Sequence, residues 1–343
     1  MARWMGRTAV LLIAFFVLAG VALSDAALAQ RVPVRMATAD VGSYGYAVSS
    51  ILADVLNREL PSQYVVTVHP YASTTAAMRA VMNGEGEMSY TADVGMTELW
   101  ARVGPHQGFT PRVGDLVHTL YVYPMETFLA VPADQAANYT SWGDFSGKPV
   151  YFTPAGYMNW SNLQRIFDAL GYQFNHVEID SSLLADALRA GSIVGAGAYT
   201  TAGASLPTFW KEAELRIAVK VVNPSPEEMQ KLTAAGLAPR RVDPSRAFTQ
   251  NVGVDEIWGV PILFGYNMRA DADPELVYQI LTALEKAAPQ LPSLDPGFTP
   301  LAEDFVGLQV AGIAANPHIP VHAGLARFLQ ERGAWNDSWT IAQ

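Results

Sequence analysis

The chain has 343 residues, of which 50% are hydrophobic, 16% charged and 10% aromatic, and 22 Lys+Arg against 32 Asp+Glu give a net charge of −10. That apolar content excludes a disordered or low-complexity protein. The absence of cysteine excludes disulfides, thiol catalysis and thiolate metal sites, and with no clustered cations nothing points to a nucleic-acid partner.

Taken in chain order, Arg3 and Arg7 precede a charge-free run from Thr8 to Ser24, and Ala27-Leu28-Ala29 comes next. A basic start, an apolar stretch and a small-x-small exit read as a cleaved secretory signal peptide, residues 1–29, with the mature chain beginning near Gln30. The charge-free run is shorter than the roughly 20 residues that span a bilayer. Removing Arg3, Arg7 and Asp25 leaves 20 basic and 31 acidic residues, a charge of −11. No later segment is long and apolar enough to span, so the expected location is the periplasm.

Val32–Ala37 predicts a buried strand, and the loop Thr38–Gly45 leads into a helix over 47–60, with apolar residues at 48, 51, 52, 55, 56 and 60. Tyr64–His69 is a second strand, Ser73-Thr74-Thr75 caps a helix to about Met82, and Met88–Tyr90 is a third strand. This alternation implies a parallel sheet with right-handed crossovers. The middle repeats it. Strands are expected at 127–131, 148–152, 176–179, 193–199 and 215–222, and helices at 159–170 and 183–189, the first ended by Gly171. An irregular Pro-rich stretch covers 223–243, a strand 260–267, and helices 274–288 and 323–333.

The order fits an α/β fold of two lobes, a clamshell in which each lobe is a mostly parallel sheet flanked by helices and the ligand cleft lies between them. Lobe 1 is expected from residues 30–125 plus 260–343 and lobe 2 from 126–259, with crossings near Met125 and Trp258 acting as a hinge. A single open sheet is the alternative, and it would have to be unusually wide.

Several segments resemble the TAXI family, the solute receptors of one branch of TRAP transporters. They are Ala37–Tyr44, Met82–Glu87, Asp144–Val150, Tyr199–Pro207, Val252–Pro261 through Asp271, and the tail Ile319-Pro-Val-His-Ala-Gly-Leu-Ala-Arg-Phe-Leu-Gln-Glu331. Their order spans nearly the whole mature chain. The resemblance implies a type II-like periplasmic binding protein. It would capture a small organic solute, an amino acid or other small carboxylate, and pass it to a membrane permease driven by an ion gradient. It implies that ATP hydrolysis is not involved; no catalysis, no cofactor and no metal are expected, and a monomer is expected.

In open parallel sheets ligands sit beyond the carboxyl ends of the strands. That rule nominates Thr38–Tyr44, Pro70–Thr75, Tyr90–Asp93, Thr153–Asn159 and Thr200–Ser205. Helix starts there offer unpaired amides and a positive dipole end that suit a carboxylate. The candidate ligand-binding residues are Thr38, Ala39, Asp40, Tyr44, Tyr71, Ser73, Asp93, Glu126, Tyr157, Asn159, Thr201 and Trp258. Where the family pattern has glycines this chain has Ala39 and Asp40. Three acids, Asp40, Asp93 and Glu126, would disfavour a purely anionic solute and favour an amine, a polyol or a bound cation. Taken singly, each is equally a helix cap or a solvated loop acid, and Glu126 also suits a hinge. The rings of Tyr44, Tyr46, Tyr71, Tyr90, Tyr157, Trp160, Tyr199 and Trp258, at or next to these loops, offer flat apolar bodies with one polar atom each, and two or three of them are expected to line the cleft.

Enzyme motifs are absent from the sequence. His318 and His322 have helix-metal spacing, but Pro317 and Pro320 prevent a helix there. Neither a nucleophile elbow nor a P-loop occurs. A periplasmic sensor feeding a signalling partner, and an enzyme on the same fold, remain the alternative functions.

Overall fold

Short apolar runs alternating with amphipathic segments build a mixed α/β fold. A computed structural model describes residues 31–343, so the segment read as a signal peptide lies outside the described residues. The elements are β1 (Val32–Thr38), α1 (Tyr44–Glu59), β2 (Tyr64–Pro70), α2 (Thr74–Met82), β3 (Met88–Ala92), α3 (Asp93–Ala101), β4 (Leu116–Val117) and β5 (Tyr121–Pro132). Then come β6 (Val150–Tyr151), α4 (Met158–Leu170), α5 (Leu184–Ala190), β7 (Gly195–Thr201), α6 (Thr208–Glu214), β8 (Val219–Val222), α7 (Pro226–Ala234) and β9 (Arg240–Val242). The chain ends with β10 (Ile257–Arg269), α8 (Pro274–Ala287), α9 (Phe305–Ala315) and α10 (Ala323–Glu331), with short 3-10 turns between.

The main strand order is β2-β1-β3-β10-β5-β7-β6. β1 is parallel to β2 and β3, and β6 is parallel to β7, so the outer strands obey the crossover pattern. The centre is antiparallel. β10 runs against both β3 and β5, and β5 against β7 and β8. The cause is that β5 and β10 are the two crossings: one carries the chain out of the first half and the other brings it back. β5 is buried at all 12 positions. It begins at Tyr121 rather than Thr127 because its first six residues are as enclosed as its last six.

Two hydrophobic cores flank this pair. One gathers residues of 34–125 and 262–339, and also takes in Met158 and Tyr199; the other gathers residues of 128–260. Burial of this kind stabilises at about 25 cal/mol per Å², so each half holds itself together by its own packing.

Several local expectations differ from the structure, each for a physical reason. α9 is apolar on nearly every face, so no periodicity announces it; Gln309 from this helix accepts from Tyr121 N (2.7 Å) and donates to Tyr121 O (2.9 Å). The Pro-rich 223–243 stretch contains α7, because Pro226 sits at N1, where its missing N–H costs nothing, and Ser225 and Glu228 form a capping box. Within 215–222 only Val219–Val222 is a strand, preceded by α6. His176–Ile179 contributes one bridge, His176 to Val150.

At the junction between halves, β10 slips register between Phe264 and Gly265. A Cβ at position 265 would fall on the Leu120 carbonyl, a main-chain atom that cannot swing aside. Gly265→Ala is therefore expected to destabilise by about 3 kcal/mol; an unchanged urea midpoint would show that the crossing has slack.

Candidate functional site

A cavity of about 230 Å³ opens between the two cores. The first half supplies Ala39, Asp40, Ser43, Tyr44 and Gly45 from the β1–α1 loop and helix start, with Thr74, Tyr90 and Phe264. The second supplies Thr153, Pro154, Tyr157, Met158, Asn159, Ser181, Ser182, Tyr199, Phe209 and Glu212. Tyr44, Tyr90, Tyr157, Tyr199, Phe209 and Phe264 give it aromatic walls, suited to burying solute carbon.

The walls are set by local hydrogen bonding. Ser43 caps α1, accepting from Tyr46 N, and Ser73 caps α2, accepting from Ala76 N. The Tyr44 hydroxyl donates to Asp295 Oδ1 at 2.6 Å, and the same oxygen accepts from Gly297 N. Burial first, then this carboxylate, push the Tyr44 phenol far above its ordinary range, so it stays protonated. Tyr90 stacks on Phe264 with ring centroids 4.9 Å apart, and its hydroxyl meets that of Tyr123 at 2.9 Å. Only an uncharged wall of this kind tolerates such enclosure.

Contacts cross the cleft. The Tyr157 hydroxyl donates to Asp40 Oδ1, and burial followed by that carboxylate raises the Tyr157 phenol. The Gly156 carbonyl accepts from Thr75 N (3.2 Å) and Oγ1 (3.0 Å), drawing the start of α2 onto the other half. Behind the cavity, Arg165 of α4 faces Asp93 at 3.8 Å, while Asp93 Oδ1 accepts from Leu263 N at 2.8 Å.

Among the candidate ligand-binding residues, Ala39, Asp40, Tyr44, Tyr157 and Asn159 line this cavity, as do the nominated rings of Tyr90 and Tyr199. Thr38 is buried at the end of β1 with its hydroxyl unpartnered. Ser73 caps α2 beside Gly156, and Thr201 lies next to the Tyr44 hydroxyl. The other four lie off the cavity. Asp93 is the buried anchor of the Arg165 contact. Glu126 is buried and accepts from Thr200 Oγ1 (2.7 Å) and Gly203 N (3.0 Å), with burial holding its carboxyl above the usual range. Tyr71 lies by Arg35, Glu85 and Glu87. Trp258 pairs with Arg241 across β9 and β10. Of the three acids, only Asp40 faces the cavity.

Other lining residues fall outside the nominations, among them Met125, Ser181, Ser182, Phe209, Glu212 and Phe264. Ser181 and Ser182 belong to a 3-10 turn, and Phe209 and Glu212 to α6. Phe264 comes from the return crossing, too distant in sequence for any local signal. Pro207 before a Thr-Phe-Trp-Lys-Glu run is a helix-start signal that would have revealed α6.

Thr153 is unusual. Its φ is +110°, it is 4% exposed, and its hydroxyl has no hydrogen-bond partner. For a β-branched residue such a backbone costs about 1–3 kcal/mol, and a buried unpaired hydroxyl a further 1–3 or so.

Among the described residues, no group of three or more His, Cys, Asp or Glu is arranged to hold a metal, and no helix is long and apolar enough to cross a membrane. Asp40 and Glu212 are the only charged side chains among the cavity's lining residues.

Two cores joined by a pair of crossing strands, with a cavity walled by residues of both, define a two-lobed α/β fold. The chain belongs to the NMT1-like family, which it matches over residues 36–333. No curated protein matches it. Among solved structures it is similar to the periplasmic aliphatic sulphonate binding protein SsuA of Escherichia coli, at 15% identity and a TM-score of 0.47 over 87% of this chain and 84% of that one. It is similar also to the periplasmic sulfonate-binding protein SsuA of Methylobacillus flagellatus KT (15%, 0.47, 90% and 97%). A third is an L-cystine ABC transporter protein of Listeria monocytogenes (13%, 0.41, 75% and 91%). These likenesses are too distant to transfer a ligand.

Proposed function

We propose that this protein is an extracytoplasmic receptor that closes on a small organic solute, an amino acid or other small carboxylate, and delivers it to a membrane permease. The observation that carries the reading is a cavity walled by both lobes and bridged by Asp40–Tyr157 and Thr75–Gly156. A ligand shifts an open–closed equilibrium only through contacts that differ between the two states, and a solute held here touches both halves at once. The aromatic walls suit its carbon, the starts of α1, α2 and α4 suit a carboxylate, and Asp40 and Glu212 at the rim suit an amine. Its membrane partner, on this reading, is a TRAP-type permease driven by an ion gradient; support comes from the ordered segments that end in Ile319–Glu331.

The receptor is expected to gain melting temperature with a metabolite it does not consume, so a thermal-shift screen paired with a turnover assay tests this. Consumption of the stabilising compound would make it an enzyme instead. For the partner, uptake into proteoliposomes carrying a candidate permease should respond to an ion gradient without ATP; uptake only with ATP would replace the TRAP assignment.

Side-chain truncation separates cavity from periphery. Tyr157→Ala removes a wall and the bridge to Asp40, and is expected to weaken binding about tenfold or more. Trp258→Ala, outside the cavity, should leave affinity unchanged. Equal losses in titration calorimetry would relocate the site.

A further inference from the structure

We infer that Thr153 anchors the solute in the second lobe, donating its hydroxyl to a carboxylate oxygen seated at the start of α4. The inference rests on the receptor reading above and adds the atom that grips the solute.

Three observations converge. Thr153 lines the cavity beside Met158 and Asn159, the first two residues of α4. Its hydroxyl is buried and unpartnered. And α4, 13 residues long, starts without a side-chain cap, unlike α1 and α2, which Ser43 and Ser73 close. The Tyr157 hydroxyl at the α4 N-cap is turned instead to Asp40. The start of α4 thus has no side-chain cap, and Thr153, whose hydroxyl is unpartnered, lines the same cavity. Among the described residues no cationic side chain lines the cavity, so an anionic group entering it must be met by donors of this kind.

The backbone supports the same conclusion. At φ +110° a glycine would sit without strain, as Gly156 does at +92° three residues later. A threonine kept in that conformation, with a hydroxyl that has no partner among the described residues, is a residue whose partner arrives with the solute.

The test has two stages. Wild-type protein is first screened by thermal shift against the twenty protein amino acids and their deaminated counterparts, such as 3-phenylpropionate for phenylalanine. The tightest binder is then titrated calorimetrically into Thr153→Ser, Thr153→Val and Thr153→Gly. Serine, which keeps the hydroxyl, should bind within about threefold of wild type, while valine and glycine should bind about 10- to 100-fold more weakly. Without solute, Thr153→Gly should melt about 2–4 °C higher because the strain is relieved. Valine and glycine variants that bind like wild type would overturn the anchoring role and leave the receptor reading intact. A glycine variant that melts lower would remove the strain argument. If no compound in the screen binds wild type, the carboxylate-receptor reading falls and the anchor falls with it.

Discussion

Acidification from pH 7 to pH 4 is expected to destabilise the fold by about 5 kcal/mol before offsets, through two buried histidines. Burial lowers His106 and His118 to about 4, from an ordinary value of 6.5. Between those limits the unfolded chain takes up protons that the folded rings refuse, so stability is present above pH 6.5 and is lost as pH falls toward 4. His118 Nε2–H donates to the Asn316 carbonyl (3.0 Å), which leaves Nδ1 to accept from the Tyr121 hydroxyl (2.6 Å). A second proton on that ring would oblige the Tyr121 hydroxyl to turn its own hydrogen away and accept instead. His106 has neither ring nitrogen paired and lies between Arg79 and Arg102, which lower it further. The buried carboxyls of Asp93 and Glu126 and the half-buried carboxyl of Glu98 act in the opposite sense. Burial raises all three, so the folded chain protonates them first and regains stability as pH falls through their raised values. The histidine loss is steepest midway between about 4 and 6.5, and the carboxyls oppose it as they titrate. His106→Phe, which keeps the edge contact with Phe109, should flatten the profile. Urea unfolding at stepped pH checks this; a stability that holds steady from pH 6.5 to 5 would sink it.

Replacing Arg165 should also destabilise the fold, by another route. Its guanidinium sits on α4 of the second half, opposite Asp93 at the start of α3, and also donates to Asn162 Oδ1 (2.7 Å). It acts favourably on the half-buried Glu98 as well. Arg165→Met would leave the buried Asp93 and the half-buried Glu98 without a cation, and removal of one partner of such a partly exposed pair costs up to about 3 kcal/mol. The contact joins the two halves behind the cavity, so the variant should also bind solute more weakly. The second change Asp93→Asn keeps the acceptor for Leu263 N while removing the charge. The double variant should recover most of the stability. No recovery would show that Arg165 matters for its packing alone.

Much of the fold is legible from local patterns. The helix over 44–59, its neighbours through Ala92, the helix stopped by left-handed Gly171 and the Pro-started α8 all reflect apolar spacing, caps and stops. Other elements lack such signals: α9 is apolar on nearly every face and α3 nearly so, and in α7 a proline reads as a breaker until its N1 position is known. The same division holds at the site. Ala39, Asp40, Tyr44, Tyr157 and Asn159 come after strand ends in sequence, where the strand-end rule nominates them. Glu126 and Asp93 also adjoin strand character, yet the structure directs their carboxyls inward, to Thr200 and Gly203 in one case and to Leu263 and Arg165 in the other.

What the sequence determined by itself was the α/β class, the order of its main helices and strands, and the loops from which a binding cleft could be made, because caps, turns and apolar periodicity act over a few residues. Which of those loops meet, which acids remain free, and that Phe264, Phe209 and Glu212 join Tyr44 around one cavity were decided only in the tertiary structure. Those contacts join residues up to some two hundred positions apart, and they depend on how β5 and β10 pass between the two cores.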